Sequence, residues 1–434
     1  MTPTHRAQQF LTDNGLSVAD LDPEALLPQF NTAMTRGLDG ATDALPMIPA
    51  FVTIDRPVPP DTRVAVLDAG GTNLRVALVW FDAHGKPHIE DYTRHRMPGT
   101  QGELSAGAFY DALADLLAPL AARVDSIGFC FSYPAEITPD CDARLLRWTK
   151  QVKAPEVVGT MVGSCVRVRL ARHGCDRPIT VLNDTVATLL AGKSAGISRR
   201  YGSYVGFILG TGTNTAYVES NRNIRKRRDL DPLGAMAINV ESGSFSHAPR
   251  SRFDLLFDAT TADCGAYVFE KMIAGAYLGG VGGTILKAAA TAGLFTPATA
   301  QAVLAMALPS SKDLSHFCHN PWQPPEAFIA LPLSEDDRRV AVEICTPVYV
   351  RAALLTAVNI AAAVIRTGAG ADPLHPVAVN IDGSTYHLTV AAAFASRVQQ
   401  HLRSLLEPRG IHYELISVDE APIIGAAVAG LTRL

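Results

Sequence analysis

Apolar positions along this chain recur with two different spacings, and the alternation between them divides it into elements. Residues 5–40 carry apolar side chains three and four apart, which predicts helix. Pro46, Pro49, Pro57, Pro59 and Pro60 then mark a connector. Beyond it, short apolar runs bounded by turn residues predict buried strands. They stand at Val64-Ala65-Val66, Arg75 to Val79, Ser126 to Phe131, Thr180 to Leu182, Val205 to Ile208, Thr215 to Val218, Val377 to Ile381 and Tyr413 to Ile416. Helical spacing returns from Leu104 to Leu120 and in the Ala- and Leu-rich run after Asp184. It returns again over Ala266–Ala292, Arg338–Arg366, Ala391–Leu406 and Ile423–Leu431. Strand hairpins alternating with helices argue for an α/β fold.

Two of the predicted hairpins share one turn chemistry. The first is Leu67-Asp68-Ala69-Gly70-Gly71-Thr72-Asn73, and the second Leu209-Gly210-Thr211-Gly212-Thr213-Asn214. A P-loop or dinucleotide fingerprint needs its glycine turn to open a helix, whereas these turns join two strands. Such a turn offers backbone N–H groups and hydroxyls as a concavity for an anion. One copy in each half suggests a nucleotide phosphate held between two lobes; a pair of ordinary hairpins is the alternative.

Composition narrows the partners. With 434 residues, 48 % of them hydrophobic, the chain can bury a sizeable core and form two lobes. A net charge of −4 gives no electrostatic footprint for nucleic acid. The basic cluster Arg222, Arg225, Lys226, Arg227 and Arg228 is followed by Asp229 and Asp231, as in a solvated loop. Seven cysteines without C-x-x-C spacing suggest reduced thiols. The amino terminus lacks an apolar signal core, and Ile360 to Ile365 is too short for a membrane span. The expectation is a cytoplasmic protein with no membrane and no nucleic-acid partner.

Several residues could carry chemistry. Asn183-Asp184 ends a buried strand and opens a helix, so Asp184 is either a general base for a hydroxyl nucleophile or a helix cap. Asp68 faces the first glycine turn, where a carboxylate beside phosphate implies Mg²⁺; otherwise it caps turn donors. Arg75 either meets a transferred phosphoryl group or is an exposed strand charge. Glu241, Glu270 and Lys150, beside Trp148-Thr149, suit a polyhydroxylated ligand if they converge, and are surface charges if they do not.

At this point the chain resembles the hexokinase family. Leu67 to Val76 is similar to its first phosphate motif, and Phe131-Ser132-Tyr133-Pro134 with Leu146-Arg147-Trp148-Thr149-Lys150 to its sugar-binding segment. Asn183-Asp184-Thr185-Val186 is similar to the segment with the catalytic aspartate, and Gly210-Thr211-Gly212-Thr213-Asn214 to the second phosphate motif with its sugar-contacting asparagine. Asn239-Val240-Glu241 and Phe269 to Gly279 resemble the two segments with sugar-binding glutamates, and Asp382 to Tyr386 the adenosine motif.

The resemblance implies an α/β, two-lobed actin-like ATPase (ribonuclease H-like) fold, each lobe a mixed sheet flanked by helices. Residues 64–182 plus 419–434 are expected in the small lobe, and 1–63 plus 183–418 in the large one. Ser132, Thr149, Lys150, Asn183, Asp184, Asn214, Glu241 and Glu270 would hold a hexose such as glucose. Asp184 would take the 6-hydroxyl proton, with Lys150 and Arg75 assisting the transfer. Asp68, Gly70, Gly71, Thr72, Asn73, Thr211, Gly212, Gly383 and Ser384 would hold ATP, and Asp68 the Mg²⁺.

Three stretches depart from the family pattern. Ser242-Gly243-Ser244 follows Glu241 where the family has Trp-Gly-Ala, which predicts a smaller or more polar wall to the sugar pocket. Gln151-Val152 stands where Gly-Phe is usual. Asp419-Glu420-Ala421-Pro422-Ile423-Ile424-Gly425 replaces a glycine-rich turn, and its two carboxylates and proline disfavour a polyphosphate. ADP or inorganic polyphosphate is therefore an alternative donor to ATP. A sugar-sensing relative without kinase activity would show damage at Asp184, Lys150 or Asp68, and all three are intact.

Overall fold

The structure is a computed structural model and describes residues 3–149, 152–195 and 199–433. Its strands are β1 (Ile48–Pro49), β2 (Val64–Ala69), β3 (Asn73–Phe81), β4 (Pro87–Arg96), β5 (Ile127–Phe131), β6 (Ala135–Ile137), β7 (Ala143–Leu145), β8 (Ile179–Leu182), β9 (Ser203–Leu209), β10 (Thr213–Ser220), β11 (Ala235–Asn239), β12 (Val377–Asp382) and β13 (Tyr413–Ile416). One sheet runs β4-β3-β2-β5-β8 and another β1-β11-β10-β9-β12-β13, with β6 and β7 forming a hairpin of their own. Both sheets are mixed. In the first, β2 is antiparallel to β3 and parallel to β5; in the second, β9 is antiparallel to β10 and parallel to β12.

The helices are α1 (Pro3–Asp13), α2 (Pro23–Asp39), α3 (Ala106–Ala121), α4 (Val162–Arg172), α5 (Asp184–Ala195), α6 (Arg252–Asp258), α7 (Val268–Ile273), α8 (Leu278–Thr291), α9 (Pro297–Ala305), α10 (Ser311–His319), α11 (Glu326–Ile329), α12 (Glu335–Arg366), α13 (Ser384–Leu388), α14 (Phe394–Leu406) and α15 (Ala421–Thr432). Leu67, Phe109, Leu113, Phe129 and Val166 belong to the core between the five-stranded sheet and α3 and α4. Phe207, Ile238, Ile285 and Leu355 belong to the larger core around α12. A third cluster, with Val66, Leu190, Ala216 and Ile424, joins both sheets through α5 and α15.

That junction is closed by glycines. A Cβ on Gly206 of β9 would lie 2.5 Å from the Thr185 carbonyl oxygen of α5. One on Gly425 of α15 would lie 1.8 Å from the Ala187 oxygen of α5, and one on Gly128 of β5 1.9 Å from the Ala426 oxygen of α15. β9, α5, α15 and β5 thus stack backbone on backbone. Gly425→Ala should cost about 1–3 kcal/mol, the usual scale of overpacking. A thermal melt of that variant coinciding with the parent's would contradict this packing.

Where the predicted elements differ, local backbone chemistry explains it. The helix expected over 5–40 is two: Gly15 turns the chain at φ +71, and Asp22 caps α2 by accepting from Glu24 N at 2.9 Å, with Pro23 next. The run Ala266–Ala292 breaks between α7 and α8, where Gly275 N donates to the Gly210 carbonyl at 2.8 Å. Ala392 and Ala393 take left-handed conformations, so α14 starts at Phe394. Strand β4 is a polar edge strand without the apolar alternation that marks a buried one. Helix α12, 32 residues, is long and apolar enough to cross a membrane, but its apolar window is 89 % buried within the protein, as in a core helix.

Candidate functional site

The first hairpin is a glycine turn over a buried carboxylate. Register Leu67↔Val76, Asp68↔Arg75 and Ala69↔Leu74 sets Asp68 directly across from Arg75. Asp68 is 4 % exposed, and Arg75 Nη1 donates to its Oδ2 at 3.1 Å. Burial pushes the Asp68 carboxyl up to about 6; Arg75 and the hydrogen-bonded Cys130 thiol oppose this, while Asp184 and Glu420 add to it. Arg75 is therefore no stray strand charge. It lies between two carboxylates, with Glu420 Oε2 at 3.6 Å.

The turn itself is braced. Gly70 N donates to the Asn73 carbonyl at 2.9 Å, Asn73 Nδ2 to Thr72 Oγ1 at 3.1 Å, and the Tyr133 hydroxyl to the Gly70 carbonyl at 2.6 Å. Thr72 is exposed and Gly71 half-buried. Tyr133 follows Ser132, so the segment resembling a sugar site touches the phosphate turn. Ser132 N donates to the Ala69 carbonyl at 3.1 Å.

Strand β8 delivers Asn183 and Asp184 to the same region, and the cap alternative falls to Asn183. Its Oδ1 accepts from Thr185 N at 2.8 Å. Asp184, the first residue of α5, is left with a hydrogen bond from the Thr185 hydroxyl at 3.3 Å. Its charge raises the Asp68 carboxyl on one side and the Glu241 carboxyl on the other. Asp184 therefore lies within electrostatic reach of both Asp68 and Glu241.

That second group is held by amides. Asn214 Nδ2 donates to Glu241 Oε1 at 3.0 Å, and Asn239 Nδ2 donates to the same oxygen at 2.9 Å. Burial pushes the Glu241 carboxyl up; the Asn239 bond opposes this, and the charges of Asp184 and Glu270 reinforce it. Glu241 adopts a left-handed conformation, φ 57 and ψ 47, uncommon for a side chain of this kind. Asn239 is the site residue that reasoning on single positions overlooks, although its place at the end of β11, two before Glu241, is the available signal. A small, partly open cavity reaches this point from Ala50, Phe131, Ile137 and Val181 to Asn183 and Glu241.

Glu270, on α7, accepts from Thr213 N at 2.9 Å and from the Tyr277 hydroxyl at 3.1 Å. A Cβ on Gly212 would lie 2.6 Å from Glu270 Oε2, so this glycine serves the close approach of the carboxylate rather than a positive φ. At the rim Arg147 Nη2 meets the Tyr267 hydroxyl, with the guanidinium 5.5 Å from the ring centroid. Thr149 is half-buried beside Trp148; Lys150 lies outside the described residues.

The second hairpin meets the third predicted nucleotide segment. Gly210 N donates to the Gly212 carbonyl at 2.9 Å, and Ala276 N donates to the Thr211 carbonyl at 3.1 Å. Thr385 Oγ1 donates to the Gly210 carbonyl at 2.8 Å, and a Cβ on Gly383 would lie 2.4 Å from Leu209 C and O. Gly383 has φ 112, a conformation that side chains other than glycine's rarely allow. It brings Ser384, the first residue of α13, beside the turn.

Two departures read differently in the structure. Ser242 is fully buried and its hydroxyl bonds to Thr215 and Asn359, so it turns into the core instead of forming the smaller or more polar pocket wall expected of it. The stretch Asp419–Gly425 leads into α15 and forms its first turn, with Glu420 at the cap and Pro422 in that turn, where a missing N–H costs no helical bond. Glu420 faces Arg75, which offsets its charge.

Residues 204–432, more than half of the chain, match a family model described as Hexokinase, and residues 7–194 match a second one of the same description. Human Hexokinase-3 is 31 % identical over 94 % of this chain, which spans 46 % of the human protein. Hexokinase-2 of Oryza sativa subsp. japonica is 33 % identical over 78 % of this chain and 73 % of its own. Hexokinase-1 of Schizosaccharomyces pombe is 30 % identical over 92 % and 85 %. The structure of a hexokinase from Schistosoma mansoni complexed with glucose superposes with a TM-score of 0.78, covering 100 % of this chain and 99 % of that one at 24 % identity. With its two mixed sheets, helices between them and two matching models, the chain belongs to the hexokinase family, hexose kinases of the actin-like ATPase fold.

Proposed function

We propose that this chain transfers the γ-phosphoryl group of ATP–Mg²⁺ to the 6-hydroxyl of a hexose such as glucose, with Asp184 as general base. The observation that carries this reading is the position of Asp184: uncommitted to helix capping, and felt by both Asp68 and Glu241. A base there serves an oxygen that is held by one group and attacks what the other holds.

Glu241, Glu270, Asn183, Asn214, Asn239, Ser132, Thr149 and Lys150 hold the sugar, whose hydroxyls need both donors and acceptors. Asp184 accepts the 6-hydroxyl proton as that oxygen bonds to phosphorus and the bond to the β-phosphate oxygen breaks, releasing ADP. Arg75 swings between Asp68, Glu420 and the phosphoryl oxygens, a charge-assisted contact suited to a guanidinium. The turns at Gly70-Gly71-Thr72-Asn73 and Thr211-Gly212, with Gly383 and Ser384, receive the phosphates and nucleoside. Two carboxylates, Asp68 and Glu420, share Arg75, and the charge of Asp184 adds to theirs at Asp68, a balance that fits a divalent cation arriving with phosphate oxygens. Asp68 would hold that Mg²⁺, which neutralises charge on the phosphates when bound.

Glucose is the natural first substrate because the Schistosoma mansoni hexokinase was solved with it. All seven cysteines are unpaired thiols, which supports the cytoplasm as the compartment. The test is a turnover assay of the purified chain with several hexoses against ATP, ADP and inorganic polyphosphate. Glucose 6-phosphate formed with ATP–Mg²⁺ is the expected product. Transfer to another position, or from polyphosphate alone, would overturn the proposal.

A further inference from the structure

Behind the two residues that hold the Glu241 side of the site lies a closed polar ring in the middle of the core. Thr215, Ser242 and Asn359 each have no exposed surface. Thr215 Oγ1 lies 2.9 Å from Asn359 Oδ1 and 3.1 Å from Ser242 Oγ, and Asn359 Nδ2 donates to Ser242 Oγ at 3.1 Å. An amide oxygen only accepts, so the single Thr215 proton goes to Asn359, and the Ser242 proton is left for the Thr215 oxygen. Each hydroxyl then donates once and accepts once. Turning the amide over reverses the sense of the ring but not the count.

The members of this ring are sequence neighbours of the site. Thr215 follows Asn214 on β10, where successive side chains point to opposite faces, so Asn214 meets Glu241 while Thr215 meets α12. Ser242 follows Glu241, whose left-handed backbone sends residue 241 to the site and residue 242 to the core. Asn214 Oδ1 accepts from Thr215 N at 2.7 Å and lies 3.4 Å from Ser242 N, and Val240 N donates to the Thr215 carbonyl at 2.9 Å. Asn359 supplies the fixed end: it sits within α12, flanked by the buried Val358 and Ile360.

We propose that Asn359 is a positioning residue for sugar recognition, acting through Thr215 and Ser242 to hold Asn214 and Glu241 in register. It rests on the reading of Asn214 and Glu241 as sugar ligands. The ring also accounts for Ser242 standing where a tryptophan is usual: a small hydroxyl there leaves room for an asparagine from α12 and gives it a partner. An unpaired member would be left buried without water, so the ring holds or fails as a unit.

The experiment titrates glucose, and separately AMP-PNP with Mg²⁺, into the full chain by calorimetry. The variants are Asn359→Leu, close in volume but unable to bond, Thr215→Val, and the two combined. Each single variant should raise the glucose Kd about tenfold, the scale on which a loosened supporting shell acts, and leave the AMP-PNP Kd within about twofold. The double variant should be little worse than the worse single one, because either change opens the ring. If Asn359→Leu does not fold, Thr215→Val decides by the same measure. An unchanged glucose Kd in a folded variant, or an equal rise for both ligands, overturns the proposal by making the ring a matter of stability alone. A parent chain that binds glucose without phosphorylating it defeats the kinase reading but not this one. A parent that binds no glucose defeats both.

Discussion

Asp184→Ala should lower kcat by about two to four orders of magnitude, the range associated with losing a general base. The neighbouring residue does the capping. Asn183 Oδ1 holds Thr185 N, so removing the Asp184 carboxylate leaves the start of α5 with its cap. A change in folding is therefore not expected to accompany the loss of turnover. Glucose binding should weaken far less than turnover, since Glu241 and its amide partners Asn214 and Asn239 remain in place. Measuring kcat and the glucose Kd on the same preparation separates the two effects. A variant that melts early yet turns over normally per folded molecule would return Asp184 to a structural role.

The second large effect concerns the cation. Activity should vanish in EDTA and return with Mg²⁺ or Mn²⁺, and Asp68→Ala should reduce kcat by about a hundredfold or more while the glucose Kd hardly moves. Asp68 is buried, feels Asp184 and Glu420, and has Arg75 as its nearby cation; adding a polyphosphate to that set without a metal would place several more negative charges in a desolvated corner. Alanine at 68 also frees Arg75 toward Glu420, so phosphate would lose a guanidinium along with the metal. Full turnover in metal-free buffer would contradict this account.

The parts of the architecture that local patterns carry are readable from the chain. Two apolar runs flanking a glycine-threonine turn determine a hairpin, and the Asp68 to Arg75 pairing follows from its register. Asn183-Asp184 at a strand end likewise advertises a site. What the chain does not advertise is direction and distant partnership. Nothing in Asn183-Asp184 says which of the two caps the helix, since both suit that position equally. Ser242 reads as a pocket wall until the left-handed turn at Glu241 is seen to send it inward. Glu420 reads as a repellent to phosphate until Arg75, 345 residues earlier in numbering, is found 3.6 Å away. Strand β4 is long but polar, without the apolar alternation of a buried strand, and β6 and β7 have three residues each, too few to show a period, so both emerge only from their pairing.

The glycine stack of Gly206, Gly425 and Gly128 has a mechanical meaning. Helices that meet through interlocking side chains move past each other in jumps, because each ridge must climb out of its groove. At Gly206, Gly425 and Gly128 the peptide planes touch directly, with side chains such as Leu190 and Ile424 packed around them. Such a contact works like a flush joint: there is no side chain at these points that could turn aside to make room for an added atom. A single methyl group on that surface would act as grit.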